Sequence, residues 1–148
     1  MIHYSIRMKE SRELAAARAF MAEAEAGWAE ADGLARLADG LERLADIIES
    51  GAQVEARRAS NLAASYAGRF YARVRDKLER DAQVPEPELE HYFKVVLAFD
   101  QVQSALPAAA AELKIGVVKA LIERYYEGHP PEKKRAALEQ LAALRPGR

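Results

Sequence analysis

The sequence of 148 residues contains no cysteine, no threonine, a single asparagine (Asn61) and three scattered histidines, His3, His91 and His129. The absence of cysteine excludes disulfide frameworks, thiolate zinc sites and cysteine nucleophiles. Alanine, leucine, glutamate and arginine are abundant, whereas β-branched residues are scarce. Because the abundant types are strong helix formers, the composition favours helices over strands.

Long apolar runs are also missing. No segment approaches the roughly 18 continuous apolar residues that a membrane span needs. The first ten residues, MIHYSIRMKE, lack the apolar stretch of a signal peptide. The formal net charge of −1 argues against bulk, charge-driven binding to nucleic acid or to a membrane. We therefore expect a cytoplasmic protein without membrane contact.

The apolar pattern predicts an all-α fold, a compact antiparallel bundle of five to six helices that forms one domain over 10–148. A short extended or β-like arm over 1–9 precedes it, because its apolar residues alternate with polar ones. Apolar residues at three- and four-residue spacing, together with glycine and proline breaks, predict helices over 10–31, 34–48, 53–81, 87–104, 107–126 and 132–144.

Glycines and other small residues indicate where the predicted helices end and how they pack. Asp32-Gly33 is expected to end the first helix, and Gly40 is expected to lie off the apolar stripe of the second. In the third helix, Ser60, Ala64 and Gly68 recur every four residues, which indicates tight helix packing or, as the alternative, a ligand groove. One arc of the same helix predicts core positions at Ala63, Ala67, Phe70, Tyr71, Val74 and Leu78, and the fourth helix adds bulk at Tyr92, Phe93, Val96, Leu97 and Phe99.

Charge is strongly segmented along the chain. Residues 56–80 carry seven basic and two acidic side chains, whereas the flanking segments 21–55 and 81–112 are acidic. Five cations share one arc of the third helix and form what we call the basic stripe: Arg58, Arg69, Arg73, Lys77 and Arg80. Cations along a rigid helix suit the phosphate backbone of a nucleic acid.

Two other interpretations of the basic stripe stay open. The acidic segments could neutralise it through salt bridges within the bundle or in a homo-oligomer, since such pairs are common on solvated helix faces. An acidic partner protein is the other alternative.

Motifs for catalysis and metal binding are sparse. Glu88 and His91 form a single E-x-x-H pattern, whereas di-iron bundles need two copies and further glutamates, so we predict no metal site. The sequence contains no G-x-S-x-G, no S-x-x-K and no phosphate-binding glycine loop. Nothing in the pattern calls for a cofactor.

Arg124 and His129 have the R-x4-H spacing. This segment resembles the motif of HEPN-type endoribonucleases, which are small all-α dimers with a composite site. The resemblance implies that Arg124 would hold the phosphate and that His129 would act beside it, without a metal. Tyr125 differs from the family pattern, in which a small polar residue follows the arginine.

Together these patterns predict a non-catalytic helical interaction or assembly module, a small subunit or adaptor. It would bind a protein partner or further copies of itself, and its basic stripe could contact a nucleic-acid backbone. The alternative is a HEPN-like, metal-independent endoribonuclease that uses Arg124 and His129.

Overall fold

The turns that the structure describes between helices are short and rich in glycine, proline and acidic residues. The computed structural model describes residues 10–102 and 106–143. Within these ranges the helices are α1 (Arg12–Ala26), α2 (Ala31–Ser50), α3 (Gln53–Arg80), α4 (Glu86–Val102), α5 (Ala108–Tyr125) and α6 (Pro131–Ala143), and no strand occurs. The all-α prediction is confirmed for this part of the chain. The predicted arm over 1–9 lies outside the described residues.

The first turn lies at Gly27–Glu30 rather than at Asp32-Gly33. Gly27 caps the C-terminus of α1, whereas Gly33 lies in the first turn of α2. A Cβ added to Gly33 would overlap the carbonyl oxygen of Gly27. The predicted break was therefore wrong, because Gly33 permits close packing of the two helices instead of ending one of them.

Gly40 also lies in the interface between α1 and α2. It is buried, and an added Cβ would meet the side chains of Met21 and Phe20. The expectation that Gly40 lies off the packed face was wrong. Gly68 behaves in the opposite way, because an added Cβ there would meet nothing within 4 Å. The tight packing predicted for the small residues of α3 is thus absent at Gly68.

Helices α1 and α3 run parallel. The Ser11 hydroxyl donates to Glu55 at 2.7 Å, and Arg69 donates to Glu25 at 2.7 Å, so both contacts join residues 44 positions apart. Two helices that contact each other at a constant sequence separation must run in the same direction. Helix α2 returns between them and packs against α1, α3 and α4.

The core is built around α3. All six predicted core positions of this helix are buried, which confirms the prediction for that arc. Phe70 lies at its centre, with ring centroids 6.0 Å from Trp28 of the first turn, 6.3 Å from Tyr92 and 5.5 Å from Phe99 of α4. Edge-to-face and tilted ring pairs of this type add to the stabilisation from burial alone.

The outer helices bury less surface. Helix α5 contributes Val117, Val118, Leu121 and Ile122 to the core, while α6 packs on α5 through the half-buried Ala137 and Leu138. None of the helices within the described ranges is long and apolar enough to cross a membrane.

Candidate functional site

Each cation of the basic stripe has a partner inside the chain. Arg69 is engaged most fully: its Nε and Nη2 donate to the two carboxylate oxygens of Glu25 at 2.7 and 3.3 Å. Its guanidinium also lies 4.4 Å from the centroid of the Tyr66 ring. The hydrogen bonds with Glu25 raise the pKa of Arg69 above its ordinary value. This geometry ties α3 to α1.

Lys77 and Arg80 are engaged near the link between α3 and α4. Lys77 lies 3.4 Å from a carboxylate oxygen of Asp81 and 3.3 Å from one of Glu88. Arg80 pairs with the other oxygen of Asp81 at 3.3 Å. Glu88 also accepts a 2.6 Å hydrogen bond from the Tyr92 hydroxyl.

The other two members of the basic stripe lie toward the N-terminus and the middle of α3. Arg58 pairs with Glu55 at 3.3 Å. Arg73 has its guanidinium 5.4 Å from the centroid of Trp28. The carboxylates that pair with the stripe thus come from both acidic segments of the sequence.

Arg124 contacts the C-terminal end of α3. Its Nη2 donates to the carbonyl oxygen of Leu78 at 2.6 Å, and its Nη1 donates to that of Asp81 at 3.2 Å. Carbonyls in the last turn of a helix lack intrahelical partners, and a cation there interacts favourably with the helix dipole. Arg124 therefore acts as a cap that joins α5 to α3.

His129 lies beyond the end of α5, after Gly128, whose φ of 85° is in the left-handed region. Its ring stacks on Tyr125 with centroids 5.6 Å apart, and its Nε2 lies 3.6 Å from a Glu86 oxygen. No hydrogen bond or ion pair joins His129 to Arg124 within the described structure. The two residues of the R-x4-H motif thus contact different partners.

The E-x-x-H pattern lies at the start of α4. Glu88 is engaged by Tyr92 and Lys77, while His91 is half-buried. Over the described ranges, no group of three or more His, Cys, Asp or Glu side chains is arranged to hold a metal ion.

An apolar groove of about 1130 Å³ runs between α4, α5 and α6. We call this feature the apolar groove. Aliphatic and aromatic side chains dominate its lining, chiefly Phe93, Val96, Leu97, Leu106, Ile115, Val118, Ile122, Tyr125, Tyr126 and Ala137. Leu97 on its rim is 61% exposed, which is high for a large aliphatic side chain. The groove has the size and lining of a ligand-binding cleft.

Charged side chains lie at both ends of the apolar groove. Lys114 pairs with Asp100 beside the C-terminal half of α4. At the opposite end, Glu90 accepts a 3.3 Å hydrogen bond from the hydroxyl of Tyr125. Burial, with Glu90 and Glu86 nearby, raises the pKa of that hydroxyl.

The sequence patterns did not predict the apolar groove. Leu97 was expected to contribute to the bulk of α4, yet this side chain is largely exposed. A signal was present, because apolar residues between Leu89 and Phe99 fill nearly the whole circumference of α4. A helix that packs on one side cannot bury so many, and the excess indicates a second contact surface.

Over the described residues the structure is an all-α bundle of six packed helices, with an apolar groove lined by α4, α5 and α6. No family model, no curated protein and no solved structure matches the chain.

Proposed function

We propose that this protein is a non-catalytic helical interaction module that binds its partner through the apolar groove. The observation that carries the proposal is the groove itself, with Leu97 exposed on its rim. A concave surface lined mainly by aliphatic and aromatic side chains is the usual form of a binding site. Burying such side chains against a partner contributes about 25 cal/mol per Å² of apolar area.

The basic stripe supports packing of the bundle better than it supports contact with nucleic acid. A phosphate backbone would have to compete with Glu25, Glu55, Asp81 and Glu88 for four of the five cations, and with the Trp28 ring for Arg73. The interpretation that acidic segments neutralise the stripe accounts for the observed pairs without any ligand. Binding of nucleic acid through Arg58, Arg69, Arg73, Lys77 and Arg80 is accordingly the weaker candidate.

The ribonuclease alternative finds less support than the interaction module. A catalytic arginine must be able to reach a scissile phosphate, whereas Arg124 donates to two backbone carbonyls of α3. These bonds give Arg124 a structural role that needs no substrate.

Binding of the neutral solvatochromic dye Nile red tests the proposal. We expect saturable binding by the wild-type chain, and Leu97→Glu should weaken it about tenfold because a carboxylate at the rim opposes apolar burial. Val54→Glu is the matched control, since Val54 is the other exposed large apolar side chain among the described residues, at 40%, and lies on α3 outside the groove.

Circular dichroism would verify that both variants keep the wild-type helical content. Absence of dye binding, or equal binding by the Leu97→Glu and Val54→Glu variants, would refute the groove as the binding surface.

A further inference from the structure

Three aromatic rings and a carboxylate meet at one end of the apolar groove. The Phe93 and Tyr125 rings pack edge-to-face with centroids 5.6 Å apart, and Tyr126 packs edge-to-face on Tyr125 at 5.1 Å. All three rings line the groove, as does Glu90, which bonds to the Tyr125 hydroxyl at 3.3 Å. Aromatic faces and a carboxylate attract the same kind of group, an organic cation.

The two ends of the groove differ in how their charged side chains are paired. At the far end, Lys114 neutralises Asp100 through a direct ion pair. At the aromatic end, the Glu90 carboxylate accepts a hydrogen bond from a neutral phenol. Lys94 lines the groove one helical turn from Glu90, and both residues are exposed, but no ion pair joins them among the described residues. The Glu90 carboxylate beside the rings therefore favours a cation at this end.

We propose that the apolar groove binds an organic cation with an apolar tail, such as an alkylammonium amphiphile. Its positive group would lie against the rings of Phe93 and Tyr126 beside Glu90, because His129 already stacks on Tyr125 with centroids 5.6 Å apart. Its tail would extend along the aliphatic floor toward Leu106. This inference rests on the proposed function, because it requires the groove to be the binding surface.

The dimensions of the groove fit such a ligand. Its volume of about 1130 Å³ slightly exceeds the roughly 300–1,000 Å³ of typical small-molecule sites, so it accommodates a long ligand. The lining from Ala111 to Tyr125 on α5 covers 14 residue steps, which is about 21 Å of helix. A linear tail can lie along this floor, and each buried methylene adds roughly fourfold to the affinity.

The inference is tested with three ligands. They share a decyl tail and differ in the charge of a small head group. They are decyltrimethylammonium, the neutral dimethyldecylphosphine oxide and decyl sulfate, each titrated below its micellar concentration in competition with Nile red. We expect the cation to displace the dye at about one-tenth of the concentration that the neutral ligand needs. The sulfate should be the weakest.

Variants of exposed or half-buried groove residues then locate the cation. Glu90→Gln should bring the cation and the neutral ligand to similar affinities. Tyr126→Leu, which keeps an apolar side chain but removes a ring, should weaken the cation more than the neutral ligand. Lys94→Gln is the matched control and should leave the preference for the cation intact or increase it.

The outcomes separate this inference from the proposed function. Equal binding of the three ligands to the wild-type chain, or an unchanged cation preference in Glu90→Gln, would overturn the cation site while the groove remains a binding surface. If the chain binds neither Nile red nor any of the three ligands, both proposals fail.

Discussion

The guanidinium of Arg124 donates a 2.6 Å hydrogen bond to the backbone carbonyl of Leu78, 46 residues earlier in the chain. A second bond reaches the carbonyl of Asp81. The side chain is half-buried, so these carbonyls are partly shielded from the water that would otherwise bond to them. Arg124 thereby joins α5 to the end of α3.

Replacing Arg124 should lower the stability of the fold. We expect Arg124→Ala to reduce the free energy of unfolding by about 1–2 kcal/mol, because two charge-assisted bonds and a favourable dipole interaction are lost. Urea denaturation measures this, with Arg135→Ala on the exposed face of α6 as the control. An unchanged midpoint for Arg124→Ala would show that the cap contributes nothing.

Glycine substitutions at packed and at open positions should act in opposite directions. Gly33→Ala forces the backbones of α1 and α2 apart, because the new Cβ would overlap the Gly27 carbonyl. We expect a loss of about 2 kcal/mol or more from this overpacking. Gly68→Ala and Gly116→Ala fill open space within helices and should each add about 0.5–1 kcal/mol. Thermal unfolding of the three variants would rank their stabilities. Equal midpoints would contradict the expected order.

The Arg69–Glu25 pair should show a small coupling energy. Both side chains are partly exposed, at 49% and 30%, so solvent screens their attraction. A double-mutant cycle with Arg69→Ala and Glu25→Ala should yield about 0.2–1 kcal/mol, decreasing as salt is raised. The cycle of Arg75→Ala with Glu25→Ala serves as the additive control. A coupling of zero in low salt would mean that this pair does not stabilise the bundle.

Binding to single-stranded RNA tests the basic stripe directly. We expect no salt-dependent association of the wild-type chain with polyuridylate at moderate salt, because four of the five cations are already paired with carboxylates and Arg73 lies over the Trp28 ring. Fluorescence anisotropy would measure the binding, and light scattering in the same buffers would report the mass of the assembly. Tight binding that falls with salt and is lost in the Arg69→Ala, Arg73→Ala double variant would instead support phosphate contact.

Alkaline pH should destabilise the protein. Burial raises the pKa of Tyr71 above its ordinary value of about 10, and burial together with the bond to Glu88 raises that of Tyr92. Above about pH 10, tyrosines in the unfolded chain lose protons that these two side chains keep when folded. Unfolding then releases protons, so the free energy of unfolding falls as pH rises.

Tyr71→Phe should reduce the loss of unfolding free energy at alkaline pH. Its buried hydroxyl has no hydrogen-bond partner among the described residues, so at neutral pH the substitution should cost less than about 1 kcal/mol or even stabilise the fold. Urea midpoints measured across the alkaline range give the slope of stability against pH. A slope identical to that of the wild type would show that Tyr71 does not titrate as burial implies.

Local patterns predicted the helices well. The bounds of α3 differ from the prediction by one residue, and all six expected core positions of this helix are buried. Helical periodicity is a local property, because residues three and four apart share a face whatever the helix packs against. The errors include two glycines: Gly33 was expected to end α1 and Gly40 to lie off the packed face of α2, yet both lie inside α2 in contact with α1 or its C-cap.

The sequence by itself determined the helical class, the main core stripe and the segmentation of charge. Only the tertiary structure decided that Glu25 meets Arg69, that Arg124 caps α3 rather than standing beside His129, and that Leu97 borders an open groove. The physical reason is distance along the chain. Pairings between residues some 45 positions apart depend on how whole helices are placed, which no short window of sequence contains.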